Sequence, residues 1–332
     1  MFVGSRLGRV AEVTIPTPVN SADVAALPFA EFVQPFADPS DGQMSTVGDG
    51  ANLAGLLVLG KRLYGTGLIY YDANNTQTIS HFSRSLSLSQ PGAGKIKSVG
   101  DKGRSGYVAG YMAPIPPEWQ SALGGPAITG QCCVPIISRT SWGPAAFAWD
   151  PSDLDSRDRV EAIPLVYYDG AHHTLGDFDA SGSVFGATTL VAGAAIVGGT
   201  RTALFFGSNG IGELCYGNGT ADRSLVNTVG SDGAKYCYDP TASDKGQHAF
   251  PYRYQIWAYD LNDLAAVRAG KRQPWDIKPY GVWGFELPVA EPTTRLLGVT
   301  YDAAQHRLFV SQRYADRDGF SYRALIHVFQ LP

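Results

Sequence analysis

The sequence predicts an all-β protein built from five similar units, and three observations lead to this prediction. The 332 residues include 39 Gly and 21 Pro, with 17 Tyr and 15 Phe, a composition typical of short strands joined by turns. Two apolar runs separated by a small polar cluster recur along the chain, and an aromatic-rich run follows each pair. A further strand-like run follows four of the copies. Four strands per unit, repeated radially, predict a five-bladed β-propeller with four-stranded blades.

The last two copies display the repeat most clearly. The fifth reads RLLGVTYDAAQHRLFVSQ (295–312) and then ALIHVFQLP (324–332), and the fourth reads TLVAGAAIVGGTRTALFFGSNG (189–210) and then YRYQIWAYDLNDL (252–264). The segments AWDPSDL of the third copy and AYDLNDL of the fourth match almost letter for letter. The predicted blades span approximately residues 1–36, 52–115, 127–170, 189–288 and 295–332, with a long loop insertion at 211–250.

The first three copies follow the same plan with less regular sequences. The third reads AITGQCCVPIISRTSWG (127–143) and then PAAFAWDPSDL (144–154); the second reads NLAGLLVLGKRLYGTG (52–67) and then TQTISHFSRS (76–85); the first reads MFVGSRLG (1–8) and then RVAEVTIPTP (9–18). The predicted fourth strands are LPFAEFVQPF (27–36), GYVAGYMAPI (106–115), IPLVYYDG (163–170) and KPYGVWGFELP (278–288). One short helix is predicted, from Leu261 to Ala269, ended by Gly270.

This alignment leaves the first blade without its inner strand and the last blade without its outer strand. We expect a longer precursor that starts before Met1 and supplies the absent strands, together with a signal peptide. The alternative is an open ring whose last blade has three strands.

Charge and motifs exclude several classes of function. Lys and Arg number 26 and Asp and Glu number 30, a formal net charge of −4, so the attraction to phosphate that drives nucleic-acid binding is absent. The chain has no P-loop, no strand-to-helix GxGxxG, no HExxH, no EF-hand loop and no GxSxG. No apolar run approaches the roughly 20 residues of a membrane span. We expect a monomer without nucleic-acid partners.

The four cysteines predict a disulfide between Cys215 and Cys237 and an oxidising compartment, and they leave two interpretations of Cys132 and Cys133. Cys215 and Cys237 bracket a Gly-rich loop, and a bond between them contributes roughly 3 kcal/mol in the chain-entropy model. Cys132 and Cys133 are sequence neighbours; they form either a strained vicinal bond, typical of functional sites, or two buried thiols. An extracellular or periplasmic location follows from the cysteine placement.

Candidate ligand contacts lie where the second strand of each copy turns into the third. In a propeller these corners meet on one face, and loops on a rigid scaffold carry function. The corners are Ser5-Arg6, Thr66-Gly67, Arg139 to Trp142, Ser208-Asn209 and Gln312-Arg313-Tyr314. Arginine offers a planar fork to carboxylates and tryptophan an apolar face to a sugar. The predicted substrate-binding residues are Arg139, Trp142, Asn209, Arg313, Tyr314 and, from the insertion, His248.

Candidate acids and bases lie in two neighbouring loops. Between Asp169 and Asp179 the chain places His172, His173 and Asp177 within eleven residues. These side chains are candidates for a calcium or zinc site, for a general base at His172 or His173, or for ordinary turn formation. Glu213 in the insertion is the best single acid, with Asp177, Asp179 or Asp41 as its second carboxylate. No cofactor is required, and calcium is the candidate ion.

The repeat resembles five-bladed β-propellers, a fold shared by secreted glycoside hydrolases, arabinanase-like enzymes and lectins. The hydrolases of this fold project three carboxylates from the inner strands into the central funnel, whereas the inner strands here carry only Asp302. The resemblance implies a secreted, carbohydrate-active protein, a hydrolase or lyase acting on a polysaccharide. The alternatives are a lectin-like binding propeller that stacks Trp119, Trp142 and Tyr314 on sugars, and a protein-interaction propeller.

Overall fold

The chain folds almost entirely into β-sheet. The computed structural model describes residues 1–5, 7–101, 105–289, 295–318 and 321–331. Within these ranges, five antiparallel sheets of three or four strands follow one another along the chain, together with a three-stranded mixed sheet in the insertion and a two-stranded parallel sheet. The prediction of an all-β protein is therefore confirmed.

The first two sheets have three strands each. Sheet 1 comprises β1 (Phe2–Gly4), β2 (Val10–Val13) and β3 (Phe32–Ala37); sheet 2 comprises β4 (Ala51–Leu59), β5 (Arg62–Ile69) and β6 (His81–Ser85). A two-residue turn at Gly60-Lys61 joins β4 to β5, with Leu59 paired to Arg62. Gly60 has φ 60°, the left-handed conformation that such hairpin turns require and that glycine adopts without strain.

Sheet 3 corrects the predicted boundary between the second and third units. The strand β7 (Ser98–Val99) and the helix α1 (Ser105–Val108) lie between sheets 2 and 3. Sheet 3 comprises β8 (Tyr111–Pro114), β9 (Ala127–Gly130), β10 (Ala146–Trp149) and β12 (Ile163–Val166). A further strand, β11 (Arg159–Val160), pairs in parallel with β7. The run 106–115 was predicted to be the fourth strand of the second unit, but its strand β8 pairs with β9 and opens sheet 3. The helix α2 (Pro117–Leu123) separates β8 from β9 and was not predicted.

Sheet 4 has the four strands predicted for it. It comprises β13 (Leu190–Ile196), β14 (Thr202–Gly210), β18 (Tyr252–Asp260) and β19 (Gly281–Phe285) in that order. Helix α3 (Leu261–Arg268) follows β18 and confirms the predicted helix. The Asp260 side chain accepts a hydrogen bond from the Asn262 amide at 2.9 Å, which caps the start of α3.

The insertion and the C-terminal sheet complete the fold. Between β14 and β18, the insertion forms a separate sheet of β15 (Cys215–Thr220), β16 (Tyr236–Tyr238) and β17 (Lys245–His248). Sheet 5 comprises β20 (Leu296–Asp302), β21 (Arg307–Asp318) and β22 (Ser321–Gln330). Short 3-10 turns lie at Val24–Ala26, Gln43–Thr46, Ile137–Arg139, Pro151–Asp155 and Pro274–Asp276.

The first strands of successive sheets pack against one another. β4 packs against β8, β8 against β13, and β13 against β20. Two glycines permit this approach: a Cβ on Gly55 would lie 2.5 Å from the Gly110 carbonyl oxygen, and one on Gly193 would lie 2.8 Å from the Val299 amide nitrogen. At the ends of the chain, the Arg323 guanidinium of sheet 5 lies 4.9 Å from the Phe29 ring beside sheet 1.

The buried His81 at the start of β6 is held as a neutral imidazole. The Thr129 hydroxyl donates to the Val108 carbonyl, so Nε2 of His81 must donate to Thr129 at 2.9 Å. Nδ1 then accepts from the Ser80 hydroxyl at 2.8 Å. Burial lowers the pKa of His81 to about 3.

Acid is therefore expected to destabilise the fold through His81. The unfolded chain takes up a proton at this residue below pH 6.5, whereas the folded site rejects it down to about pH 3. His81 therefore does not lower the free energy of unfolding above pH 6.5. Below pH 6.5, it lowers the free energy of unfolding by up to about 1.4 kcal/mol per pH unit. Urea unfolding between pH 7 and pH 4 measures the slope. His81→Gln is expected to flatten that slope and His173→Gln to leave it unchanged; equal slopes in the wild type and in His81→Gln would contradict the assignment.

Candidate functional site

The loops that follow the second strands of sheets 2 and 3 meet through a buried ion pair. The Arg139 guanidinium bonds to the Asp72 carboxylate at 2.9 Å and, through Nε, to the Asn75 side chain at 2.8 Å. It also donates to the Asp72 carbonyl. The two charged side chains are 6% and 2% exposed. Arg139, predicted to bind a ligand, therefore lies beneath the surface and joins the two loops.

The Asp72 carboxylate is fully occupied by protein donors. Oδ1 accepts from the amide and hydroxyl of Thr76 at 2.8 and 3.0 Å, and Oδ2 accepts from the Gln77 amide at 2.9 Å and from Arg139. Burial alone would raise the pKa of Asp72, but these hydrogen bonds and the Arg139 charge outweigh it, and the pKa lies below its ordinary value. Asp72 is therefore an ionised anchor whose oxygens have no site left for a ligand.

A shallow cleft of about 330 Å³ lies directly above this ion pair. Asp49, Ile69, Tyr71, Asp72, Ala73, Asn74 and Thr76 line it. The Tyr71 side chain is 68% exposed, and Tyr70 beside it is 54% exposed. The side chains of Asp49 and Asn74 are exposed and have no hydrogen bond within the described part of the chain. The cleft thus presents one aromatic ring, one amide and one carboxylate over a rigid floor.

The loop between β12 and β13 carries the predicted histidine and aspartate cluster. The His173 ring packs 4.8 Å from the buried Trp142, and its Nδ1 lies 3.7 Å from Asp177. His172 stacks on Trp275 at 3.9 Å and bonds to Asp169 at 2.8 Å. The two imidazoles are therefore held on different tryptophans.

The polar groups around these two histidines are occupied by protein contacts or face solvent. The indole nitrogen of Trp142 donates to the Ile137 carbonyl at 2.9 Å. Asp177 accepts from the Asp179 amide at 3.2 Å, and the Asp179 side chain is exposed. Among the residues that the structure describes, no three His, Cys, Asp or Glu side chains form a metal-binding group.

The insertion sheet is held by the predicted disulfide between Cys215 and Cys237. The predicted acid Glu213 is exposed, just before β15. Asn209 at the end of β14 is fully buried; it accepts from the Thr189 hydroxyl at 2.8 Å and donates to the Gly182 carbonyl at 2.6 Å. Asn209 therefore fastens the preceding loop to sheet 4.

His248 lies buried inside the insertion in an environment of acceptors. Nδ1 is 2.8 Å from the Asp239 carboxylate, and Nε2 is 3.1 and 3.2 Å from the carbonyls of Asp244 and Gly217. The Tyr252 hydroxyl donates to the same Asp239 oxygen at 2.7 Å. Both ring nitrogens must donate, so His248 is an imidazolium. Burial lowers its pKa, but the hydrogen bond and charge of Asp239 outweigh burial and raise the pKa above its usual value.

The vicinal cysteine pair and the last predicted corner are the remaining residues that the sequence predicted for the site. Cys132 and Cys133 are disulfide-bonded and buried, which decides between the two sequence interpretations. The predicted corner at Gln312-Arg313-Tyr314 is wrong, because β21 continues through these residues to Asp318. Arg313 lies 4.1 Å from the ring centre of its neighbour Tyr314, whose ring is 4.9 Å from Tyr322. Of the predicted corner residues, Arg6 lies outside the described residues. The half-buried Trp119 borders a second shallow cleft, with Glu118 and Arg201, beside the β13–β14 turn.

The comparisons leave the family open. No protein-family model matches the chain, and no curated protein matches it. Within the described ranges no helix is long and apolar enough to cross a membrane.

Sequence reasoning missed the cleft itself. It selected Thr66-Gly67 as the corner of the second unit, whereas β5 continues to Ile69 and the exposed residues are Tyr71 and Asn74. The signal was present as two adjacent tyrosines followed by Asp-Ala-Asn-Asn, an aromatic pair running into a turn.

Proposed function

We propose that the protein is a secreted five-bladed β-propeller that binds a glycan in the cleft beside Tyr71. The propeller arrangement is supported by five consecutive antiparallel sheets whose first strands pack in succession, and by the contact between Phe29 and Arg323 at the two ends of the chain. The two disulfides suit an extracellular or periplasmic compartment.

One observation carries the assignment of a glycan: an exposed aromatic ring beside an uncommitted amide and an uncommitted carboxylate. Tyr71 offers an apolar face with a polar tip, on which a sugar ring can stack. Asn74 and Asp49 supply acceptors, and Asn74 also supplies donors, for neighbouring hydroxyl groups. The buried Arg139–Asp72 pair holds the loop that carries Tyr71 and Asn74 in place without an ordering cost at binding.

The lining favours an uncharged glycan. Among the residues that the structure describes, the charged residues of the cleft wall are Asp49 and Asp72, and neither Lys nor Arg belongs to it. Arg139 beneath the floor is neutralised by Asp72. A uronic acid or sulfated sugar would meet a carboxylate without a compensating cation, and like charges repel at this range.

Binding is better supported than hydrolysis at this cleft. Glycoside hydrolysis uses two carboxyl groups that flank the bond to be cleaved. The oxygens of Asp72 are occupied by Thr76, Gln77 and Arg139, which leaves Asp49 as the one carboxylate available to a ligand in this lining. The proposal therefore takes the lectin-like alternative over the hydrolase or lyase.

Replacing Tyr71 by Ala is expected to weaken glycan binding at least tenfold, because the stacking surface is lost. The probes are cello-, xylo-, manno- and malto-oligosaccharides, with oligogalacturonate as the acidic comparison, followed by calorimetry and by thermal unfolding. A ligand at 100 times its dissociation constant adds about 2.7 kcal/mol to the free energy of unfolding.

Tyr216→Ala is the matched control, because Tyr216 is 64% exposed on the insertion sheet, away from the cleft lining. It is expected to leave glycan affinity unchanged. Binding of oligogalacturonate alone would contradict the uncharged class. If no glycan changes the thermal unfolding temperature, or if the change persists in Tyr71→Ala, the cleft is not a glycan site. Shortened oligosaccharides after incubation with the protein would favour the hydrolase over the lectin-like protein.

A further inference from the structure

A second cleft, of about 640 Å³, lies between helix α2 and the turn that joins β13 to β14. We call it the Trp119 cleft; its lining comprises Glu118, Trp119, Ala122, Gly199, Thr200 and Arg201. A volume of this size falls in the range of small-molecule sites. All of its lining residues differ from those of the cleft beside Tyr71. The Trp119 cleft is therefore a separate candidate site.

Two hydrogen bonds across the Trp119 cleft fix α2 to the turn. The indole nitrogen of Trp119 donates to the Thr200 carbonyl at 2.8 Å, and the Gly199 amide donates to Oε1 of Glu118 at 2.8 Å. Part of the Trp119 ring packs against the largest hydrophobic core, and the rest lines the cleft. The walls are therefore ordered before a ligand arrives, which lowers the cost of binding.

The lining carries one negative and one positive side chain, and each is held by a partner of its own. The Gly199 amide lowers the pKa of the Glu118 carboxyl below its ordinary value, so this group is ionised at neutral pH. Nε of Arg201 lies 3.2 Å from the Asp260 carboxylate, and the Arg201 side chain is 69% exposed. These contacts use Oε1 and Nε, so Oε2 of Glu118 and the two Nη groups of Arg201 are the atoms offered to a ligand.

The turn arranges these groups in order along three consecutive residues. Glu118 is bonded at Gly199, and the Trp119 nitrogen is bonded at Thr200. Arg201 is the next residue of the turn. Two residues of chain span at most about 7 Å. A carboxylate and a guanidinium are thus anchored within the length of one small ligand, and the indole is anchored between them.

Opposite charges beside one aromatic ring favour a zwitterionic ligand. A ligand with a single charge would be attracted by one of the two side chains and repelled by the other. The face of tryptophan attracts cations, and quaternary ammonium groups are the ligands most often bound in this way. A primary ammonium needs acceptors for three N–H groups, whereas a quaternary ammonium needs apolar contacts, which Trp119 and the Ala122 methyl group provide. The guanidinium fork of Arg201 suits a phosphate.

We propose that the Trp119 cleft binds a quaternary ammonium joined to a phosphate, as in phosphocholine. The trimethylammonium group lies on the Trp119 ring beside Glu118, and the phosphate accepts hydrogen bonds from Arg201. In phosphocholine an ethylene linker separates the two charges, whereas in an α-amino acid both charged groups share one carbon atom. The separate anchoring points of Glu118 and Arg201 therefore suit the longer molecule.

The proposal does not depend on glycan binding beside Tyr71. Arg139, beneath the cleft beside Tyr71, lies in the connection from β9 to β10, whereas α2 lies in the connection from β8 to β9. Neighbouring strands of sheet 3 are antiparallel, so these successive connections lie at opposite ends of the sheet. Either site can therefore fail its test without affecting the other.

Calorimetric titration of the 332-residue protein with phosphocholine, choline and inorganic phosphate tests the proposal. Phosphocholine is expected to bind at least about tenfold more tightly than choline or phosphate, because it meets both charges. Trp119→Ala is expected to weaken phosphocholine binding at least about tenfold, and Trp119→Phe, which keeps an aromatic face, to weaken it less. Trp283→Ala, at a tryptophan that is 43% exposed on β19, is the matched control and is expected to leave the affinity unchanged.

Two charge variants separate ligand contact from a structural role. Arg201→Gln is expected to reduce the affinity for phosphocholine to that for choline and to leave choline binding unchanged. Glu118→Gln is expected to weaken choline and phosphocholine and to leave phosphate binding unchanged. A residue with a merely structural role would weaken all three ligands together, and that result would overturn the proposal.

Three further results would overturn the proposal: no phosphocholine binding up to about 10 mM, equal affinities for phosphocholine and choline, or an equal loss in Trp119→Ala and Trp119→Phe. Binding of cello-oligosaccharides that Trp119→Ala abolishes would assign the Trp119 cleft to a sugar and overturn it as well. Where phosphocholine binds, phosphatidylcholine vesicles identify its source. Co-sedimentation that free phosphocholine reverses indicates a lipid headgroup, and binding of the free compound alone indicates a soluble ligand. Cooperative thermal unfolding checks that each variant is folded.

Discussion

Replacing Asp72 by Asn is expected to lower the free energy of unfolding by about 3–5 kcal/mol. The substitution keeps the shape of the side chain but removes its charge, and it leaves the Arg139 guanidinium buried at 6% exposure without a counter-ion. The loop that carries Tyr71 and Asn74 loses its anchor at the same time. Urea unfolding at pH 7 measures the loss, and weaker glycan binding is expected to accompany it.

The matched control for this prediction is the exposed pair of Arg62 and Asp155, which are 37% and 53% exposed and 3.0 Å apart. Asp155→Asn is expected to change stability by less than about 1 kcal/mol, because solvent screens that pair. Adding Arg139→Met to Asp72→Asn is expected to recover part of the loss, because no buried charge then remains unpaired. A loss below about 1 kcal/mol in Asp72→Asn would contradict the structural role of the pair.

Asp239→Asn is expected to have a comparable effect, of about 3–5 kcal/mol, centred on the insertion. Asp239 and His248 are 0% and 4% exposed, and the imidazolium of His248 has no other charged partner among its contacts. Hydrogen exchange of the amides of β15 and β17 measures the local loss. Asp169→Asn, in the partly exposed pair with His172, is the matched control and is expected to change protection little.

The pair of Asp239 and His248 determines how the stability of the insertion changes with pH. The pKa of His248 is raised when the chain folds, so its contribution is complete below about pH 6.5 and is lost as pH rises through the folded value. The pKa of Asp239 is lowered, so its contribution is present above pH 3.8 and is lost as pH falls. The amides of the insertion are expected to be best protected from hydrogen exchange between these limits. His248→Gln is expected to abolish the loss of protection at alkaline pH. Protection that is unchanged from pH 6 to pH 9 in the wild type would contradict the imidazolium.

Local patterns predicted those parts of the fold whose partners are near in sequence. Sheet 4 and helix α3 were predicted because long apolar runs, glycine turns and the glycine that ends the helix all lie near one another in sequence. The disulfide between Cys215 and Cys237 was predicted because a loop rich in Gly, Asn, Ser and Asp, with no core of its own, needs another support. The four-residue strand β8 was assigned to the wrong sheet, because so short a run carries no information on which neighbour it pairs with.

The candidate site was predicted less well, because its contacts join distant parts of the chain. Arg139 was interpreted as a ligand contact, since the sequence gives no sign of its pairing with Asp72, 67 residues away. Asn209 and His248 are likewise buried and bonded to protein groups, through partners 27 and nine residues away. A polar residue at a strand end has the same appearance in sequence whether it faces a ligand or fastens two loops.

The register of β14 and β18 makes the insertion an exchangeable module. These strands stay paired over nine residues, from Thr202 opposite Asp260 to Gly210 opposite Tyr252. The chain therefore leaves sheet 4 and returns to it at directly facing positions. Residues 211–251 form the connecting loop of a hairpin whose two strands are already fully paired. Such a position accepts changes of length without disturbing the register beneath it. Gly210 and Tyr252 therefore mark the two positions between which another loop or small domain can be inserted by protein engineering.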